Sequence, residues 1–65
     1  TDAEYKALVK AAMTRKYVLK DGKKLIERKY TYFDRAKSLY PNLKQEGVQE
    51  EAIAEMFRDA MDGKF

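Results

Sequence analysis

Apolar side chains recur at helical spacing near the start of the chain. They stand three and four residues apart, and residues at that spacing share one face of a helix. The members of this stripe are Tyr5, Leu8, Val9, Ala12 and Met13. Thr1 and Glu4 precede the stripe at the spacing of a capping box, in which each side chain satisfies a backbone amide of the other residue. The pattern predicts a helix from Asp2 to about Lys16, with Tyr17 continuing its stripe.

A second stripe lies near the end of the chain. Its members are Val48, Ala52, Ile53, Met56, Phe57, Ala60 and Met61. Glu50 and Glu51 stand in the first turn, where the helix dipole favours anions. Gly63 follows the stripe, and glycine readily takes the left-handed conformation that ends helices. The pattern predicts a helix from about Val48 to Asp62.

Between the two stripes, Thr31 and Asp34 form another capping signal, and Pro41 gives a stop signal. They predict a shorter middle helix. Its expected buried face consists of Phe33, Ala36, Leu39 and Tyr40.

The segment around Asp21-Gly22 has two interpretations. In one, the dipeptide is the two-residue loop of a hairpin. The strands would be Tyr17–Lys20 and Lys23–Arg28, with Val18 opposite Leu25 and Lys16 opposite Glu27. In the other, Gly22 ends the first helix and a new helix starts near Lys23. The second interpretation, or an irregular turn, is favoured because a lone two-stranded hairpin is marginal unless it packs on helices.

These elements predict one small, mostly α domain of three helices over residues 1–65, with a short β-hairpin at residues 17–28 as the alternative there. The expected core is Leu8, Val9, Met13, Phe33, Leu39, Ile53, Met56 and Phe57. Truncation of Phe57 to alanine is therefore expected to cost roughly 3–5 kcal/mol of stability, as for a buried aromatic residue.

Composition removes several kinds of chemistry. The chain has no cysteine and no histidine, so it lacks thiolate ligands, the commonest general base and the commonest metal ligand. Its single serine, Ser38, has no histidine to activate it, and its three glycines are too far apart for a phosphate loop. No enzyme activity is expected of this chain, and no cofactor is expected within it. No apolar run is long enough to span a membrane, so no membrane partner and a cytoplasmic location are expected.

Charge is unevenly distributed. Residues 15–44 carry ten Lys or Arg against three acids, whereas residues 45–65 carry two against six. A basic region with interleaved aromatic residues suits nucleic acid, because cations neutralise phosphates and aromatic rings stack on bases. The candidate contacts are Arg15, Lys16, Lys20, Lys23, Lys24, Arg28, Lys29 and Tyr30. The plainer interpretation is that the two oppositely charged regions attract each other or are simply solvated.

Glu51 and Glu55 stand one helical turn apart and so share a face, where they could bridge a cation. The alternative is a solvated acidic face. The stretch "EEAIAEMF" resembles the downstream glutamate helix of zinc metallopeptidase-like domains in large polyvalent proteins of phages and mobile elements. "TDAEYKALVKAA" and "SLYPNL" are similar to stretches that accompany that helix.

The resemblance implies a role for each position of the motif. Glu51 would be the third zinc ligand, Ala54 and Phe57 would pack the helix under the site, and Glu55 would support the ligand. The first two ligands come from an HExxH helix, which this chain lacks. The resemblance therefore implies zinc only in a longer parent protein. The chain starts at Thr1 rather than Met, which fits an excised piece of such a parent.

Three functions are thus expected in order of preference. The first is a non-catalytic helical module or fragment of a larger, metallopeptidase-like protein. The second is a small basic nucleic-acid-binding module. The third is a protein-interaction domain whose tyrosine and methionine surface takes a partner helix.

Overall fold

A computed structural model of the chain describes residues 1–64 as three helices and one antiparallel hairpin. This confirms the small, mostly α domain of three helices and, between the first two, the short hairpin that was the alternative there. In chain order the elements are α1 (Asp2–Thr14), β1 (Lys16–Asp21), β2 (Lys24–Thr31), α2 (Tyr32–Leu39) and α3 (Gln45–Met61). No helix within these 64 residues has both the length and the apolar character needed to cross a bilayer.

The capping signals lie where the sequence places them. The Thr1 hydroxyl accepts a hydrogen bond from the Glu4 amide at 3.2 Å. The Thr31 hydroxyl accepts one from the Asp34 amide at 3.1 Å, and the Asp34 carboxylate accepts one from the Thr31 amide at 3.2 Å. After α3, Gly63 has φ +77°, the left-handed conformation expected of a terminating glycine. The helix boundaries differ from the prediction by two or three residues: α1 ends at Thr14, and α3 begins at Gln45.

The preference for helix at residues 17–28 is wrong, because these residues form the hairpin. Its register also differs from the predicted one: Val18 is opposite Glu27 and Lys16 is opposite Thr31. The turn is Gly22-Lys23 rather than Asp21-Gly22. Gly22 has φ +63°, and no other residue before Gly63 has positive φ. A glycine with positive φ at the first central position, followed by an ordinary residue, is the pattern of a type II′ hairpin turn.

The hairpin is irregular where it meets the helices. Between the pairs Lys16–Thr31 and Val18–Glu27, β1 has one residue and β2 has three. Extra residues in one strand bend it and re-aim its side chains. Here the irregularity accompanies the stacking of Tyr30 on Tyr17, whose ring is buried. Packing of these rings on the helices explains why so short a hairpin is formed.

The core is built from small and tyrosine side chains as much as from large aliphatic ones. Of the predicted core, Ile53 and Met56 are buried, and Leu8, Val9 and Phe33 pack partly buried against it. The prediction that Met13, Leu39 and Phe57 belong to the core is wrong, because they are 42%, 56% and 51% exposed. The buried set is Ala12, Tyr17, Tyr32, Ala36, Val48, Ala52, Ile53 and Met56.

Two neighbouring residues of α3 show why Phe57 is outside. Successive residues of a helix point about 100° apart, so Met56 and Phe57 cannot both face the core centre. Met56 is only 7% exposed and belongs to the buried face that also holds Val48 and Ala52. Phe57 lies at the edge of that face, where about half of it stays exposed to water.

This difference can be measured by unfolding two single variants in urea. Met56→Ala should cost about 2–5 kcal/mol, because it removes a buried side chain and leaves a cavity. Phe57→Ala should cost about 1 kcal/mol, since only about half of the burial energy of a phenylalanine is at stake. A larger loss in Phe57→Ala than in Met56→Ala would show that the buried face of α3 is assigned incorrectly.

Candidate functional site

A small cavity of about 60 Å³ lies between α2 and α3, and four charged side chains line it. It is bordered by two arginines, two glutamates and two tyrosines together with apolar residues of α2. The lining residues are Tyr32, Arg35, Ala36, Leu39, Tyr40, Glu51, Glu55 and Arg58. As predicted from their spacing, Glu51 and Glu55 face the same side of α3.

The Glu55 carboxylate is already neutralised by two arginines. Its Oε2 accepts a hydrogen bond from Arg58 Nη1 at 3.0 Å, and its Oε1 lies 3.7 Å from Arg35 Nε. The Glu55 side chain is 23% exposed, so these pairs are partly shielded from water. A carboxylate held in this way is poorly placed to bind a cation as well.

The Glu51 carboxylate, unlike that of Glu55, is not paired with an arginine in the described chain. Glu51 is exposed at the cavity, and within residues 1–64 its side chain forms no ion pair or hydrogen bond. Glu50 is exposed as well but does not border the cavity. Of the three neighbouring glutamates, Glu51 alone therefore combines an unpaired carboxylate with a place at the cavity.

A metal centre needs several ligand side chains close together. Within the described part of the chain, no three His, Cys, Asp or Glu side chains come together in a group that could hold a metal ion. Zinc sites normally use three or four protein ligands, mostly nitrogen or sulfur donors. Glu51 by itself does not meet this ligand requirement.

A buried carboxylate lies beside the same cavity. Asp59 is 2% exposed, and its Oδ2 accepts a hydrogen bond from the Tyr32 hydroxyl at 2.8 Å. Its Oδ1 accepts one from Lys64 Nζ at 3.1 Å. Asp59 is absent from the predicted site residues, although it follows Ala52 and Met56 at the spacing of the buried face of α3. An acid in a buried stripe signals a polar partner inside the fold.

Both partners of Asp59 have raised pKa values. For Tyr32, burial raises the pKa first, and the hydrogen bond to Asp59 and its charge raise it further. For Lys64, burial alone would lower the pKa, but the hydrogen bond and attraction to Asp59 outweigh it and raise the pKa above its ordinary value. Both groups therefore keep their protons more firmly in the folded chain than in the unfolded one.

Three tyrosine rings join the hairpin to the helices next to Asp59. Tyr17 stacks on Tyr30 with ring centres 5.7 Å apart and meets Tyr32 edge to face at 5.4 Å. The Arg35 guanidinium lies over the Tyr17 ring at 4.4 Å. Arg35 Nε is buried without a hydrogen bond, and this contact with the ring offers the cation partial compensation.

The predicted nucleic-acid contacts occupy the hairpin and its junction with α1. All seven basic side chains, from Arg15 to Lys29, are exposed. Lys16 Nζ donates to the Lys29 carbonyl, and Lys20 Nζ donates to the Asp62 carbonyl, so both contact the protein's own backbone. The Tyr30 ring is half-buried, stacks on Tyr17 and has the Arg28 guanidinium over it at 5.8 Å. Its ring is thus already engaged within the fold.

Comparisons of the chain with protein-family models, curated proteins and solved structures found no match.

The buried Asp59 network predicts a loss of stability at alkaline pH. Groups with raised folded pKa values stabilise the fold below their unfolded pKa and lose that contribution as pH rises towards the folded value. The free energy of unfolding should therefore decline above about pH 10, where tyrosine and lysine of the unfolded chain begin to lose protons. Chemical denaturation at several pH values measures this decline.

Tyr32→Phe tests the assignment of that decline. It should lower stability at neutral pH by about 1–3 kcal/mol, because Asp59 loses a donor, and it should make the alkaline decline shallower. Tyr5→Phe is the control, since Tyr5 is 43% exposed on α1. The same alkaline decline in the parent chain and in Tyr32→Phe would show that Tyr32 is not its source.

Proposed function

We propose that this chain is a non-catalytic helical module of a larger, metallopeptidase-like protein, and that α3 supplies Glu51 as one ligand of a zinc ion in that protein. One observation carries the proposal. Among the three neighbouring glutamates of α3, Glu51 combines an unpaired carboxylate with a position at the α2–α3 cavity.

The arginine pairs of Glu55 support this choice of ligand. Arg35 and Arg58 hold the Glu55 carboxylate on the side of α3 next to Glu51. In this proposal the Glu55 carboxylate neutralises both arginines near the zinc site, one helical turn from the ligand Glu51. Glu51 stands on a 17-residue helix anchored by buried Ala52, Ile53 and Met56, which gives its backbone a fixed position.

An exposed apolar row on α3 supports the module's place inside a larger protein. Ala54, Phe57 and Met61 follow one another at helical spacing, and all three are exposed. The two large side chains are 51% and 88% exposed, which leaves adjacent apolar surface in water. Such patches usually mark contact surfaces. In the motif that "EEAIAEMF" resembles, the positions of Ala54 and Phe57 pack the helix under the zinc site.

The proposal requires at least two further ligands from outside the chain. The 65 residues contain no histidine or cysteine, and zinc in catalytic sites is usually held by three protein ligands. The isolated chain is therefore expected to bind zinc weakly and to hydrolyse nothing. Its contribution is one oxygen ligand and the helix that positions it.

The zinc content of the full-length parent, measured by mass spectrometry of the metal, tests the assignment. Glu51→Gln should weaken zinc retention by more than the 10–100-fold typical of losing a residue that only supports a ligand. Glu50→Gln is the matched control, because it removes the same charge from the neighbouring residue, which does not border the cavity. Equal zinc retention in both variants, or a greater loss in Glu50→Gln, would overturn the proposal.

A further inference from the structure

The β1–β2 hairpin forms a basic ribbon that the proposed role of Glu51 does not use. Residues 15–31 contain seven Lys or Arg and only two acids, Asp21 and Glu27. Within the described chain, Lys23, Lys24 and Lys29 are exposed and form no ion pair or side-chain hydrogen bond. Three lysines without an ion pair on so short a ribbon suit a polyanion.

The pairing of the strands places positive charge around the ribbon rather than along one side. Residues directly opposite each other in an antiparallel pair share a face of the ribbon. Lys24 is opposite Asp21, whereas Lys20 is opposite Leu25 on the other face. Lys23 lies in the turn itself. Lys20 donates to the Asp62 carbonyl, so a partner would meet the ribbon at its turn and along β2, where Lys23, Lys24, Arg28 and Lys29 are exposed.

The same register argues against an anionic membrane as that partner. Leu19 and Leu25 are 41% and 47% exposed near the end of the hairpin. Leu19 pairs with Ile26 and Leu25 pairs with Lys20, so the two leucines lie on opposite faces. Membrane-surface segments gather their apolar residues on one face, which this hairpin does not do.

The tyrosines argue against single-stranded nucleic acid. Proteins that bind single strands use open aromatic rings on which bases stack. Tyr17 is buried, and the half-buried Tyr30 ring is engaged by Tyr17 and by Arg28. Contacts from this ribbon would therefore go to phosphates through its cations.

We propose that the β1–β2 hairpin binds double-stranded DNA by placing Lys23, Lys24, Arg28 and Lys29 against its phosphates. A two-stranded ribbon fits the major groove, which is about 12 Å wide and has a phosphate backbone along each side. The contacts are to phosphates, so binding is independent of base sequence. This inference is independent of the proposed role of Glu51, because the hairpin and that carboxylate share no contact.

Titration of the 65-residue chain into a fluorescently labelled duplex, followed by anisotropy, tests the proposal. Four phosphate contacts predict a slope of about −3.6 for log K against log salt. The affinity should then fall on the order of 100-fold between about 50 and 200 mM salt.

A triple variant assigns the contacts to the hairpin. In Lys23→Gln, Lys24→Gln and Lys29→Gln combined, the magnitude of the slope should fall by about 2.7, since three counterion-releasing contacts are lost. Arg28 is kept because it lies over the Tyr30 ring. The control is Lys6→Gln, Lys10→Gln and Lys37→Gln combined, which removes the same charge from exposed residues of α1 and α2. Far-ultraviolet circular dichroism checks that both variants remain folded.

Four results would overturn the proposal. They are no duplex binding by the parent at low salt, an equal loss in the control variant, tighter binding to a single strand of the same sequence, and tighter binding to phosphatidylserine vesicles. The supporting result is duplex binding with the steep salt dependence, retained in the control variant and largely lost in the hairpin variant.

Discussion

The burial of the Asp59 carboxylate is the constraint on which much of this structure depends. A buried carboxylate without donors is strongly destabilising, so the fold must bring donors to it. Tyr32 at the start of α2 and Lys64 after α3 supply them. Tyr32 also meets Tyr17 of the hairpin edge to face. The Asp59 carboxylate thereby links the end of α3 to the start of α2 and, through Tyr32, to β1. A chain of 65 residues has few other means of joining these parts, since it has no disulfide and only a small core.

The tyrosine rings extend that connection outwards to the charged surface. Tyr17 is covered by the Arg35 guanidinium, and Arg35 also reaches Glu55 on α3. The consequence for function is that Glu51 and Glu55 differ in their ion pairing. Glu55 is held by arginines, whereas Glu51 is left unpaired at the cavity. The aromatic packing that holds the hairpin against the helices thus also decides which carboxylate is open to an outside partner.

Local signals predicted well, and signals that depend on tertiary contacts did not. Both threonine caps and Gly63 could be predicted because a cap depends on residues within one helical turn. Asp21-Gly22 indicated the hairpin only as an alternative to a helix. The choice between them depends on the packing of Tyr17 and Tyr30, which the turn signal does not report. Phe57 is wrongly predicted in the core because the spacing of apolar residues indicates which face of α3 is buried. It does not indicate how far around the helix that buried face extends. Glu51 and Glu55 were placed correctly on one face, but the arginines that distinguish them come from α2 and from the next helical turn of α3.

The central claim is that the Tyr32–Asp59 hydrogen bond joins the elements of the fold energetically as well as geometrically. A double-mutant cycle with Tyr32→Phe, Asp59→Ala and the combined variant, measured by urea unfolding, tests this most directly. Residues within one buried network are expected to show a coupling free energy on the order of 1 kcal/mol or more. The summed losses of stability in the two single variants should therefore exceed the loss of stability in the combined variant. A coupling free energy of zero within about 0.5 kcal/mol would mean that the two residues stabilise the fold independently. That result would contradict the account.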